Sequence, residues 1–591
     1  MTYEKDIPDF ALVPAKQPEE RVRIPITQGA VYSPVQVTNI IERSHTTILV
    51  EEDLLVPDTR PDLKEILHIT GKVRLASREL GPFAKSEDTI PLAGEIDLQT
   101  LYIPEKAAVC GPAVATTSHI SFREQWHTTV SEGSILTLDP QIENIDCMVI
   151  NERKYRLKIR IGIAVRECRD QKIEIFEGLT SEEIHTLRTT VEMTSIPLRK
   201  KDIFTVQENL ECKDGMQLPE TILMQEISVV ENYKQATAEK IVINGFIYIN
   251  LLCSASSPAA SDSADPEMQT AEHPPACTLH QMQERIEFTQ FIPLSQGTQW
   301  SGCGITFDGS DLRVKLVTDE SESQFLRLEG DIITWAELYR NVEKEIIIDA
   351  YHRKKDFVCE FKELECRTLT GTATGECTVR EITALEGPHG DVDRILHISG
   401  TLSGGESHAE PGKIITEGIL HARLLCLGAD GCIFPISQEL PFRCITAAPY
   451  LQGGEIIRHK LYMKDLWTEK INSKQAELNG SILVCTEIMR SSPLRILKNP
   501  AFEELQGHSR ESKPMVVYIV KETDTLWSIA KRFQSATDSI RQINQLEDSQ
   551  LQPGQKLLIL QITRFSLPLK YKFSACRPYF LCQTYSGRRY L

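Results

Sequence analysis

Three groups of polar residues in this chain have side chains suited to chemistry, and each also has a plainer use. Asp58, Asp62 and Glu65 could form an acid cluster for proton transfer or metal binding. In the string Pro57-Asp-Thr-Arg-Pro-Asp62, however, prolines and aspartates sit where turn and cap chemistry uses them. His68 and His397 could act as ligands or proton carriers, but each directly follows an Ile-Leu pair and reads as packing in or beside a core. Arg156, Lys158, Arg160 and Arg166 could gather an anion. They interleave with Leu157, Ile159, Ile161, Ile163 and Val165, the period of a half-buried strand with one solvated face.

No stronger catalytic pattern replaces these. The chain has no Gly-x-Ser-x-Gly elbow, His-Glu-x-x-His helix, Walker loop or Gly-x-Gly-x-x-Gly turn. Its 16 cysteines are scattered, with no Cys-x-x-Cys, and several sit in apolar runs, as Cys253 and Cys426 do. They read as small buried hydrophobes, not as a disulfide framework or zinc site. The expectation is a protein without enzymatic activity, metal or cofactor.

Charge narrows the partners. The net charge is −18, while residues 561–591 carry six basic and no acidic side chains. The acidic body repels phosphate backbones, so nucleic acid is not an expected ligand. No window holds the roughly 18–20 apolar residues of a membrane span. The opening Met1-Thr-Tyr-Glu-Lys-Asp lacks a signal-peptide h-region, which predicts a cytoplasmic protein.

The elements that must position these residues repeat three times. Each copy opens on an Ile-Leu pair, at Ile66-Leu67, Ile222-Leu223 and Ile395-Leu396, and runs on to a glycine within an apolar stretch, Gly94, Gly245 or Gly418. Four residues before that glycine stand Ile90, Ile241 and Ile414. Seven after it stand Leu101, Leu252 and Leu425. Aromatic-containing runs follow around Phe122, Phe288 and Phe442, and each copy closes in strand-like alternation. The pattern predicts antiparallel β modules, with room for a short helix at 62–67 and with glycines marking bulges or bends.

The predicted fold class is mainly β: three tandem β-rich modules plus a small βααβ domain. The predicted divisions are an N-terminal segment 1–34, modules at 35–170, 190–350 and 356–490, a linker 491–514, the small domain 515–560 and a basic tail 561–591. The polar, proline-bearing stretch 254–276 reads as a disordered insert in the second module.

Val56-Pro-Asp-Thr-Arg-Pro-Asp-Leu-Lys-Glu-Ile-Leu67, followed by Gly71-Lys-Val-Arg74 and Gly94-Glu-Ile-Asp-Leu98, resembles the start of a SPOCS domain of clostridial sporulation proteins. The later copies lack the Pro-Asp signature and join by internal register.

At 516–560 a strand run, Val516-Val-Tyr-Ile-Val520, leads into Leu526-Trp-Ser-Ile-Ala-Lys-Arg-Phe533, whose apolar residues have helical spacing. A second helix begins at Thr537-Asp538, and Gln552-Pro-Gly-Gln-Lys-Leu-Leu-Ile-Leu560 supplies a turn and strand. With Asp-Thr-Leu-Trp-Ser-Ile-Ala and Pro-Gly-Gln-Lys-Leu, this order resembles a LysM domain. The resemblance implies a shallow groove for N-acetylglucosamine polymers, walled by Asp524, Thr525 and Leu526 on one side and Asn544, Gln545 and Leu546 on the other. Trp527 beside it is expected to be exposed and open to a partner. Where that family usually has glycine this chain has Thr523, which would strain a loop that needed φ > 0.

Three SPOCS-like modules ending in a LysM domain resemble a clostridial spore-coat morphogenetic protein. The resemblance implies a coat-assembly role on the mother-cell side of the forespore surface, with a coat-scaffold ATPase as partner of the LysM domain. The alternative is a binder of peptidoglycan in the wall or spore cortex.

Overall fold

The computed structural model describes residues 21–560 apart from 27–28, 43–44, 107–111, 181–183, 211–217, 257–276, 296, 298, 319–323, 388–389, 506–514 and 549. Strand dominates, as the alternating pattern predicts, and two short helices lie near the C-terminal end. Among the described residues, no helix is long and apolar enough to cross a membrane.

Each repeat builds a three-stranded antiparallel sheet. In the first, β6 (Glu87–Pro104) lies between β4 (Leu63–Leu75) and β7 (Val114–Val130). In the second, β12 (Lys240–Ser256) lies between β11 (Thr221–Ala236) and β13 (Cys277–Pro293). In the third, β19 (Lys413–Gly428) lies between β18 (Val392–Glu410) and β20 (Ile433–Ala447).

The repeated glycine sits on the central strand each time, paired directly with the repeated phenylalanine: Gly94 with Phe122, Gly245 with Phe288 and Gly418 with Phe442. A Cβ there would stand within 3 Å of the ring in all three copies. These glycines therefore make room for an aromatic ring and are not themselves the bulges expected of them. The irregularities fall on the neighbouring strand instead, between Glu231 and Tyr233 and between Ser403 and Glu406.

Behind each small sheet stands a second one, organised by a very long strand: β9 (Lys154–Leu179), β16 (Gln324–Tyr351) or β22 (Gln475–Leu505). Its inward residues fill the core between the two sheets. In the first module Leu157, Ile159 and Ile161 pack with Ile96, Leu98 and Phe122.

The three modules then share further cores. Leu101, Leu252 and Leu425, the equivalent residues of the repeat, meet in one buried cluster with Leu67, Met224 and Leu396. The far ends of the long strands meet again, where Ile173 and Ile175, Met193 and Ile346, and Leu494 and Ile496 come together. The copies are thus arranged about a pseudo-threefold axis, like a trimer written in one chain.

That arrangement changes several expectations. Residues 62–67 are not helical; β4 begins at Leu63 and carries a bulge between Ile66 and His68, because its backbone completes a ladder with β6. Residues 491–505 are not linker: they continue β22, pairing from Ser491–Arg367 to Glu503–Asp356 along β17 (Asp356–Ala384). Burial of Leu494, Ile496 and Leu497 among the other modules holds that stretch extended. The described part of the N-terminal segment, from residue 21 on, is not separate either, and residues 1–20 lie outside the described residues. β1 (Arg21–Pro25) pairs with the end of β22, and β2 (Ala30–Glu42) borders β9. Of the insert 254–276, residues 254–256 close β12 and the remainder lies outside the described residues, as do the rest of the linker and the tail 561–591.

Candidate functional site

The small domain forms as its sequence predicts. β23 (Met515–Ile519) and β24 (Lys556–Leu560) pair antiparallel, and α1 (Leu526–Arg532) and α2 (Thr537–Ile543) lie between them in sequence. Thr525 caps α1: its hydroxyl accepts from Ser528 N at 3.0 Å, while Ser528 Oγ accepts from Thr525 N at 2.9 Å, a reciprocal capping box. Leu526, Ile529, Ala530, Ile540, Leu557 and Ile559 make the core.

The residues expected to wall a groove divide into two groups. Leu526 is buried in the core and offers no floor to a ligand. Asn544 is fully used internally. Its amide donates to the Ile540 and Leu558 carbonyls, both at 2.8 Å, and its carbonyl accepts from Leu558 N at 2.7 Å, tying α2 to β24. Asp524 accepts from Lys521 N at 2.8 Å and Tyr518 Oη at 2.7 Å. Those bonds hold its carboxyl below the usual range, the Lys521 amide first and the Tyr518 hydroxyl next.

Thr525 and Gln545, by contrast, are exposed, as are Glu522 and Thr523 in the turn before α1. Thr523 is not among the residues with positive φ, so threonine is unstrained there. Gln545 is one of them, at φ 51°, which directs the chain out of α2. Leu546 is half-buried against the core. The two loops therefore present backbone groups and a few exposed polar side chains.

Trp527 corrects the expectation that it awaits a partner. Its Nε1 donates to Asp349 on β16 at 2.7 Å, and its ring packs edge-on against Tyr351, centroids 5.0 Å apart. Lys531 also reaches Asp349, at 2.6 Å. Tyr351 Oη donates to the Ser535 carbonyl at 2.5 Å, and Gln534 donates to Asp356 at 2.9 Å. Burial pushes the Tyr351 hydroxyl up to about 12. One flank of the small domain is thus fastened to the end of the β body, and the loops 521–525 and 544–546 carry none of these bonds.

The other candidate residues serve the body. Asp58 and Asp62 both bind Arg153, at 2.9 and 3.0 Å, clamping the turn before β4. On the outer face of β9, Arg156 and Lys158 face Asp53 and Glu51 of the adjoining β3 (Thr46–Leu55), an ordinary solvated ladder. Arg166 behaves differently: it is buried and binds Glu337 of the second module and Glu487 of the third. Burial opposes ionisation of Glu487, but Arg458, Arg166, Lys460 and Lys234 outweigh it and bring its pKa to about 2. Of this hub, sequence reasoning picked out only Arg166, and as one member of a surface row.

His68 and His397 face Glu226 at the three-module junction. His68 lies 3.9 Å from that carboxylate and 3.4 Å from Ser399 Oγ. Above them a cavity of about 1070 Å³ opens between the modules, lined by Lys72, Glu226, Tyr248 and Lys464 among others. Cross-module amide bonds brace its walls, as where Gln283 donates to the Leu466 carbonyl at 2.9 Å and Asn250 to the Ile398 carbonyl at 3.1 Å. Among the described residues, no group of three or more His, Cys, Asp or Glu is placed to hold a metal. Cys168, Cys253, Cys303, Cys366, Cys426 and Cys444 are buried thiols as expected, whereas Cys147 and Cys432 are exposed.

Residues 518–560 match the LysM domain family. No curated protein and no solved structure matches the chain. The match covers the module whose strands, helices and exposed loops have just been described. It supports a peptidoglycan- or glycan-binding role for that module.

Proposed function

We propose that this chain is a non-enzymatic assembly protein of the spore envelope: the three SPOCS-like modules form a rigid base, and the LysM domain captures a coat-scaffold ATPase on the mother-cell side of the forespore surface. One observation carries the reading. The LysM domain is fastened to the base through Trp527, Lys531, Gln534 and Ser535, while Glu522, Thr523, Thr525 and Gln545 of its loops stay exposed. A capture module held in fixed orientation loses little freedom when its partner binds, which favours affinity. The SPOCS-like residues Val56 to Leu67 add the spore-coat context.

A second reading keeps the loops and changes the ligand. The LysM match itself favours an N-acetylglucosamine polymer, bound through loop backbone groups and short polar side chains.

Calorimetry of the full chain against the scaffold ATPase and, separately, against an N-acetylglucosamine hexamer distinguishes the two. Thr523→Tyr obstructs the space between the loops, and Gln545→Gly removes a side chain while relaxing its φ. Under the first reading these variants weaken scaffold binding about tenfold or more with thermal stability retained. Hexamer binding without scaffold binding would replace that reading with the second. Binding of neither refutes both.

A further inference from the structure

The cavity of about 1070 Å³ between the modules carries positive charge that no partner in the chain answers. Lys72 on β4 of the first module and Arg313 on β15 (Arg313–Thr318) of the second both line it. Among the described residues, neither makes a hydrogen bond or a close ion pair. Lys72 is half-buried, and burial lowers its pKa below the usual lysine range; Asp308 opposes that, and Arg313, a second cation, adds to it.

The carboxylates nearest Lys72 have other partners. Asp308 binds Arg78 at 3.5 Å, Asp97 binds Arg74 at 3.1 Å and also His119, and Glu226 accepts from Asn250 at 3.3 Å. Glu376, elsewhere in the lining, is bonded to Lys464 at 2.7 Å and to Ser481 at 2.8 Å. Holding an ammonium partly out of water without a counter-ion costs stability. A chain of net charge −18 has no shortage of acids that could have paired with it.

Two amides add donors to the same seam. Gln99 Oε1 accepts from Gln225 N at 3.0 Å, and Gln225 Oε1 accepts from Val314 N, next to Arg313, at 2.8 Å. Each backbone donor fixes the orientation of the amide it meets, so both NH2 groups are left to donate. Among the described residues, neither has an acceptor. This stretch of wall therefore offers an ammonium, a guanidinium and two amide NH2 groups, all of them donors. Charged and amide donors gathered in this way suit the oxygens of a phosphate or carboxylate.

The size of the cavity argues for more than a bare ion. One water molecule occupies about 30 Å³, whereas sites for small organic molecules run to roughly 300–1,000 Å³. From the third module Thr401 and Trp467, the latter 44% exposed, bring a hydroxyl and an indole ring to the lining for the body of such a molecule.

We propose that this cavity binds a small polar organic molecule through a phosphate or carboxylate group, which Lys72, Arg313, Gln99 and Gln225 hold at the seam of the first two modules. The site shares no residue with the LysM loops.

The test is calorimetry of the full chain at low salt against glucose 6-phosphate, glucuronate and uncharged glucose. At least one of the two anions should bind tenfold or more tightly than glucose, and which one does so tells phosphate from carboxylate. Lys72→Met and Arg313→Gln should each weaken that binding about tenfold or more. Lys315→Gln, whose ammonium is already paired with Glu329, should bind as the parent does. The melting temperature of Lys72→Met should stay level or rise, because the change removes a half-buried charge that has no partner. Binding of glucose as tight as that of the anions, or binding of none of the three, overturns the proposal. Full binding by Lys72→Met and Arg313→Gln overturns it too, as does equal weakening in Lys315→Gln. A lowered melting temperature in Lys72→Met would likewise overturn it, by making that lysine a structural residue.

Discussion

Replacing Asp349 with alanine should loosen the LysM domain from the β body without touching the LysM fold. The Asp349 carboxylate accepts from Trp527 Nε1 at 2.7 Å and from Lys531 Nζ at 2.6 Å, so one truncation removes both bonds. A hydrogen bond to a charged group contributes about 1.5–3 kcal/mol. Lys531 is 42% exposed, so its ion pair is worth about 0.5–1 kcal/mol after solvent screening. The expected loss is about 2–4 kcal/mol, or a ~30- to 900-fold shift toward the undocked form. The Tyr351–Ser535 and Gln534–Asp356 bonds remain and keep docking from vanishing.

Fluorine NMR of the 5-fluorotryptophan-labelled chain reads this directly. The chain has five tryptophans, and Trp527→Phe assigns the resonance of interest. In Asp349→Ala that resonance should lose its docked shift about 10 °C lower than in the parent, by the usual relation of free energy to melting temperature in small domains. The other four resonances should be unmoved. Lys531→Ala added to Asp349→Ala should cost little more, because its partner is already gone. A docked signal surviving within about 2 °C of the parent would refute the assignment of Asp349 as the clamp.

Three further outcomes follow from the packing. Burial, partly offset by the Glu226 carboxylate and with a smaller push from His68, lowers the His397 pKa to about 4 against an ordinary 6.5; the unfolded chain therefore binds the extra proton first, and stability falls as pH drops from 6.5 toward 4, by about 3 kcal/mol in all. Urea midpoints measured across that range should show the decline, and His397→Gln should flatten it. Gly245→Ala puts a Cβ 2.6 Å from the Phe288 ring, which Phe204 and Phe307 already hold, so thermal unfolding should register a loss of about 1–3 kcal/mol. Asn544→Ala strands the Leu558 amide and carbonyl and should destabilise the LysM domain by about 2 kcal/mol, seen as earlier loss of α2 amide protection in hydrogen exchange; unchanged protection would mean that water replaces the side chain fully.

Much of the local order was legible in the chain. The alternation through Leu157, Ile159 and Ile161 marks a strand with one wet face, and the structure buries those residues while leaving Lys158 and Arg160 exposed. The repeat register set Gly94, Gly245 and Gly418 in equivalent places, and Asp-Thr-Leu-Trp marked the start of a LysM helix. These features have periods of two to four residues or recur as whole copies, so a linear reading detects them.

What escaped such reading depends on residues far apart in the chain. Ser491-Ser-Pro493 has the composition of a linker, yet it is strand because β17 pairs with it and neighbouring modules cover Leu494 and Ile496. Trp527 looks like a free aromatic until Asp349 and Tyr351, some 180 positions earlier, close on it. Arg166 belongs by sequence to a surface row, but three modules converge there and supply Glu337 and Glu487. Propensity and periodicity act over one turn or one strand, whereas burial and charge pairing are settled by whichever surfaces the assembled modules bring together.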